Sequence, residues 1–146
     1  MRTSAYAELA ADYLKRASRF TPVEMKEVRP VKGSDAREVK AKEGERLLQV
    51  LQPGDHVVAC DERGEELTTK ELAGLIEQRT AAGGPGRLIF LIGGAEGLSE
   101  EVRKRADRIV ALSKMTLPHE LARVVLVEQI YRAHSMLRNH PYHREG

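Results

Sequence analysis

The sequence predicts a layered α/β fold built on a parallel sheet. Three observations carry that reading. Segments with strand character alternate with segments of helical period along the chain. The run "RLIFLI", Arg87 to Ile92, is continuously apolar after its first residue, as expected of a strand covered on both faces. Directly behind it comes "GGAEG" and then a serine-led polar helix, which is how a strand-turn-helix unit reads.

The elements follow in order. From Ser4 to Arg19, apolar or small residues at Tyr6, Leu9, Ala10, Tyr13, Leu14 and Ala17 repeat with helical spacing. After Pro22, "VEMKEV" reads as a short strand. "GSDAREVKAKEGERLLQVL" is a second helix. Asp35 with Glu38 has the form of a capping box, and Val39, Leu47, Leu48 and Leu51 supply the apolar side. "HVVAC", His56 to Cys60, is a strand, and Asp61 to Gly64 a turn. Thr68 with Glu71 caps a third helix carrying Leu72, Leu75 and Ile76, and "GGPG", Gly83 to Gly86, breaks the chain. Ser99 opens a short helix, "RIVAL" is a strand, "SKMTLP" a loop, and a long helix runs from about Pro118 to Arg138.

Composition narrows the class. With 146 residues, 41% hydrophobic and 32% charged, the chain fits one soluble globular domain spanning residues 1–146. No internal repeat or long linker divides it. Lys+Arg 24 against Asp+Glu 22 leaves a net charge of +2, which neither demands nor excludes a nucleic-acid partner. The single cysteine, Cys60, precludes a disulfide within the chain and fits a reducing cytoplasm. No apolar run suits a membrane span, and "MRTSAYAELAADYLKR" has no continuous apolar core of a secretory signal.

Several stretches could carry chemistry. In open α/β sheets, ligands bind beyond the carboxyl ends of strands. Gly93, Gly94 and Gly97 after "RLIFLI" permit close backbone approach and positive φ. Glu96 opposes a phosphate ligand, and the Lys-Ser/Thr ending of a P-loop is missing; a plain tight turn remains open. "LSKMTLPH", Leu112 to His119, is a second loop behind a strand, equally readable as an ordinary connection capped by Thr116. The last helix is apolar on more than one face, so the core or another subunit must cover it. Glu128 and Arg132 within it form either a simple i,i+4 pair or a device that orients site residues. The ending "RNHPYHREG" gathers histidines, Tyr142 and arginines. Arg138 and Arg144 suit phosphate, and Tyr142 with His140 and His143 suits stacking or base edges, so an RNA contact fits better than metal; the histidine spacing matches no common metal motif.

Taken together, "FLIGGAEGLS", "LSKMTLPHELARVVLVEQIYRAHSMLRNHPYHRE" and the upstream "KEGERLL" resemble the SPOUT-class large-subunit rRNA methyltransferase H family. The match is strongest from Leu88 to Glu145 and tracks more weakly back to about Tyr6. The resemblance implies a SPOUT-type layered fold, with a parallel sheet, helices on both faces and a C-terminal trefoil knot over about residues 87–146. It implies S-adenosylmethionine as cofactor, a homodimer, and methylation at N3 of a pseudouridine of 23S rRNA on the assembled ribosome, with no membrane or DNA partner and no metal. Carried over by residue, the cofactor pocket includes Cys60, Gly93, Gly94, Leu112, Ser113, Lys114, Met115, Thr116 and Leu117. His143, Tyr142 and Arg144 would reach the partner's pocket and handle substrate, with His143 as a proton acceptor, Tyr142 as a weaker one, and Arg144 on phosphate or on charge developing in the base.

Two departures stand beside this. The glycine loop carries Ala95 where the family usually has proline. Family members usually begin with a strand ahead of the first helix, whereas here the chain begins at that helix, so a first strand is expected to be missing or to lie upstream. A ribosome-binding or assembly factor that lost turnover, and a methyltransferase of the same class acting on another RNA, are the competing functions.

Overall fold

The computed structural model describes residues 4–81 and 86–142. Most of the predicted break at Gly83 to Gly86, together with His143 and Arg144, lies outside the described residues. The chain divides into two compact units, each assembled from segments distant in sequence.

One unit, within residues 26–66 and 86–119, contains the sheet. Its elements are α2 (Ala36–Gln49), β1 (His56–Glu66), β2 (Leu88–Ile92), α4 (Glu100–Arg105) and β3 (Arg108–Ala111). The strands are parallel in the order β2-β1-β3. Val57, Val58 and Ala59 in the middle strand are fully buried. Val57 and Ala59 form one core with Leu91, Leu98 and Val102, against which Leu47 and Leu48 of α2 and Leu51 just beyond it pack. Alternation sends Val58 to the opposite face.

Two aspartates fix the strand starts. Asp55 receives the Arg87 guanidinium in two-point fashion at 2.7 and 3.0 Å, joining the entries of β1 and β2. Asp107 accepts the Val57 N–H at 2.8 Å, while its own N–H donates to the Val57 carbonyl at 2.7 Å, joining β1 to the entry of β3.

The second unit, within residues 4–25, 67–81 and 120–142, is helical: α1 (Ala5–Ala17), α3 (Thr69–Ala81) and α5 (His119–Leu137). Ser4 caps α1 by accepting the Ala7 N–H. Thr68 and Glu71 form the full reciprocal box at α3: the Glu71 N–H donates to the Thr68 hydroxyl, and the Thr68 N–H to the Glu71 carboxylate. No residue of α5 from 121 to 137 is exposed, so the many-sided apolar character of this helix is already covered in the isolated chain.

Four expectations change. "VEMKEV" is not a strand: residues 23–26 alternate half-buried and exposed, but no strand pairs with residues 23–28 among the described residues. Asp61 to Gly64 does not end β1. The strand runs on to Glu66 through an irregularity, with Val110 facing first Cys60 and then Glu65. "RLIFLI" forms an edge of the described sheet, so only Leu91 is buried and its neighbours are half-buried. The Asp35 carboxylate caps through the Arg37 N–H, whereas Glu38 turns to Lys42 at 2.8 Å, so the box is incomplete.

Candidate functional site

The sheet unit gathers three distant stretches at one end. Parallel pairing sets Cys60 beside Ile92 on one side and beside Val110 on the other. The next residues after Ile92 are Gly93 and Gly94; Leu112 follows Val110 by two. Cys60, within β1, is therefore level with the carboxyl ends of β2 and β3, where the glycine loop and the start of "LSKMTLP" leave the sheet and where α/β folds place ligands. The Cys60 thiol is pushed up from 9.0 to about 12 by burial, so it is a neutral, apolar wall element at ordinary pH.

The glycine loop is closed on itself. The Gly97 N–H donates to the Gly94 carbonyl at 3.0 Å, and Gly97 has φ +84. A Cβ on Gly93 would lie 2.6 Å from the Gly97 carbonyl carbon and 2.9 Å from the Leu98 nitrogen. Glycine is therefore required at 93 by the loop's own packing, a reason the sequence does not display. A Cβ on Gly94 would lie 3.0 Å from both carboxylate oxygens of Glu43 on α2.

Along the other loop, Leu112, Ser113 and Leu117 are half-buried, whereas Lys114, Met115 and Thr116 are exposed. Met115 is 77% exposed, so this face of the loop is uncovered in the isolated chain. Its shape is nevertheless held: the Met115 N–H donates to the Ser113 hydroxyl, and Lys114 pairs with Glu66 at 3.6 Å. The Thr116 hydroxyl donates to Glu62 and is not used to cap α5.

Asp61 follows Cys60. Its side chain is nearly fully buried and takes the Arg63 guanidinium at 2.9 and 3.0 Å, which holds its carboxyl below the usual range.

The chain's end is built in the helical unit. Helix α5 stops in a Schellman arrangement: Asn139 adopts φ 53, its N–H donates to the Met136 carbonyl at 3.2 Å, and the His140 N–H donates to the Ser135 carbonyl at 2.7 Å. The reversal lays Tyr142 back on the helix it has just left. Its ring centre lies 4.4 Å from that of Tyr131, and the Arg132 guanidinium sits 5.0 Å from its centroid. Its hydroxyl donates to Glu128 at 3.0 Å and lies 3.3 Å from the Tyr13 hydroxyl. Glu128 in turn holds Arg132 at 2.8 Å. The pair is thus the i,i+4 bridge its spacing allowed, and Glu128 also accepts from Tyr142 beyond the helix end. Burial, then the bonds to Tyr13 and Glu128, push the Tyr142 phenol well above its ordinary value. Phe20 extends the aromatic cluster to Tyr131, His134 and His140.

Sequence reasoning missed Asn139, although asparagine just past a helix is a legible stop signal. It also missed Glu43 and Tyr13, whose roles depend on contacts with residues far along the chain. Among the described residues, no group of acidic, histidine and cysteine side chains could hold a metal ion.

Comparison with known proteins gives the class. The chain matches, over residues 1–143, the family model described as "Predicted SPOUT methyltransferase". It belongs to the SPOUT methyltransferase family. Proteins named "Ribosomal RNA large subunit methyltransferase H" are similar along nearly the whole length. The relative from Chromobacterium violaceum is 48% identical over 141 residues, covering 94% of this chain and 89% of its own. That from Gloeobacter violaceus is 41% identical over 143 residues, covering 98% and 92%. That from Desulfovibrio desulfuricans is 44% identical over 146 residues, covering 98% and 91%.

Proposed function

We propose that this protein methylates N3 of a pseudouridine in 23S rRNA, using S-adenosylmethionine, as a homodimer acting on the assembled ribosome. The reading includes a single methyltransferase domain with the cofactor held in a knotted C-terminal part. The observation that carries it is the lateral alignment of Cys60 with Ile92–Gly93 and Val110–Leu112 at the ends of β2 and β3, in a chain of this family.

The residues there suit such a cofactor. Cys60, Leu112 and Leu117 offer half-buried apolar surface, Gly93 and Gly94 offer backbone, and the Glu43 carboxylate beside Gly94 favours a cationic ligand. Met115, exposed in the isolated chain, would gain cover in the loaded dimer. The bound cofactor supplies a methyl group already activated on sulfonium sulfur. This chain's task is alignment of N3 in line with that methyl, exclusion of water, and removal of the N3 proton. His143 is the proposed acceptor of that proton. Tyr142, kept protonated, is assigned to holding the tail in place instead of accepting a proton, and Arg144 to phosphate or developing charge on the ring.

The test incubates purified protein with radiolabelled S-adenosylmethionine and ribosomes, then maps the modified nucleotide. Label on a 23S pseudouridine is the expected result. Binding to ribosomes without transfer would favour an assembly factor, and label on another RNA would favour a different substrate.

A further inference from the structure

We propose that Glu43, on α2, is a ligand-binding residue of the cofactor site, accepting a hydrogen bond donated by a hydroxyl or ammonium group of the adenosyl ligand. This rests on the cofactor reading above and extends it to a helix outside the strand-end loops.

Three observations lead there. Oε1 of Glu43 is buried and has no hydrogen-bond partner among the described residues. A buried carboxylate oxygen left unpaired is costly, and such atoms are rare in folded proteins unless something else satisfies them. The carboxylate lies against Gly94, so close that a Cβ there would sit 3.0 Å from both of its oxygens. Gly94 belongs to the loop at the end of β2, so the unpaired oxygen abuts a residue assigned to the cofactor. Nor is the side chain free to swing away with its helix. Gly44, the next residue, is buried where a Cβ would collide with the Ser99 side chain and lie 3.3 Å from Val102, so α2 is seated against the start of α4. The helix is thus locked with an acceptor aimed at the glycine loop.

The chemistry selects the donor. A carboxylate accepts and does not donate, and a cationic ligand favours it further. The adenosyl cofactor carries ribose hydroxyls at one end of its chain and an ammonium group at the other. Both are donors of the required kind, and they can be separated experimentally.

The experiment measures calorimetric affinity for S-adenosylhomocysteine and for methylthioadenosine, which keeps the ribose and lacks the ammonium. Wild type is compared with Glu43→Met, similar in length and without an acceptor, and Glu43→Gln, which keeps one. The melting temperature of each ligand-free protein is recorded alongside. The Met variant should lose about tenfold or more in affinity, with Gln between it and wild type. Its ligand-free melting temperature should equal or exceed that of wild type, because a buried oxygen without a hydrogen-bond partner has been removed. Loss with both ligands assigns the ribose; loss with S-adenosylhomocysteine alone assigns the ammonium. Unchanged affinity for both ligands overturns the proposal while leaving the methyltransferase reading intact. A melting temperature lowered by several degrees together with the affinity also overturns it, making Glu43 structural. Failure of wild type to bind either ligand removes the cofactor reading and this inference with it.

Discussion

The hydroxyl of Tyr142 donates to Oε2 of Glu128 across 3.0 Å, tying a residue beyond the end of α5 to the middle of the same helix. The bond restrains the segment that leads into His143 and Arg144. Tyr142→Phe keeps the ring against Tyr131 and removes the hydroxyl's bonds to Glu128 and Tyr13, so the protein should stay folded while methyl transfer falls about tenfold, or about 1.4 kcal/mol of barrier. Removing Pro141 to Gly146 takes the Tyr142 ring, His143 and Arg144 together and should cost at least about a hundredfold, about 2.7 kcal/mol. Single-turnover rates on ribosomes check both; a truncated protein at wild-type rate would refute the role of the tail.

Asn139 should be replaceable by glycine and not by valine. The left-handed backbone at this position suits glycine, whereas a β-branched side chain there is strained by about 1–2 kcal/mol. Asn139→Val is expected to lower the denaturation midpoint and to impair transfer, with Asn139→Gly close to wild type in both.

Gly93→Val should abolish binding of S-adenosylhomocysteine, because its Cβ cannot coexist with the Gly97–Leu98 backbone in the present loop. The loop must rearrange, so a modest fall in stability should accompany the loss. Calorimetry showing wild-type affinity would detach this loop from the cofactor.

Cys60 should resist alkylation. Burial raises its thiol from 9.0 to about 12, so little thiolate forms at pH 8. The linked stability term has a definite sign. Between these two values the unfolded chain loses a proton that the folded chain retains, so stability is intact below about pH 9 and declines as pH rises toward 12. Iodoacetamide kinetics on native and denatured protein measure the first effect, and alkaline denaturation of wild type against Cys60→Ala the second.

Asp55→Asn should destabilise the sheet unit by about 2 kcal/mol, because charge-assisted bonds to Arg87 are lost while the site stays buried. The Arg87 bonds hold the Asp55 carboxyl below its usual 3.8, so this contribution is present above that value and is lost as pH falls beneath it. Urea midpoints at pH 7 and pH 3 should differ less in the variant than in wild type.

Local chemistry was legible in the sequence. The Thr68–Glu71 box and the serine opening α4 each act within a few residues, and the structure has both where their spacing puts them. Pairing was not. "VEMKEV" has the composition of a strand, yet a strand exists only with a neighbour. Residues 61–64 read as a turn because Asp61 and Gly64 favour one, while pairing across to β3 carries the strand onward. In the candidate site, the glycines stood out in the sequence. The reason for Gly93 lay four residues ahead, that for Gly94 lay on another helix, and the seat of Tyr142 lay partly on Tyr13.

The doubled use of Val110 has a consequence for how this sheet can vary in length. Since one residue of β3 faces both Cys60 and Glu65, the four residues between them have no counterpart in the register with β3. Gly64 is where that stretch crosses its neighbour, its missing Cβ leaving room for the Ile109 backbone. An insertion or deletion at Glu62 or Arg63 would be absorbed there, leaving Cys60 opposite Ile92. The same change between Val57 and Cys60 would slide every strand end by one residue and turn inward-facing side chains outward. Length variation in this strand should therefore be confined to its irregular middle.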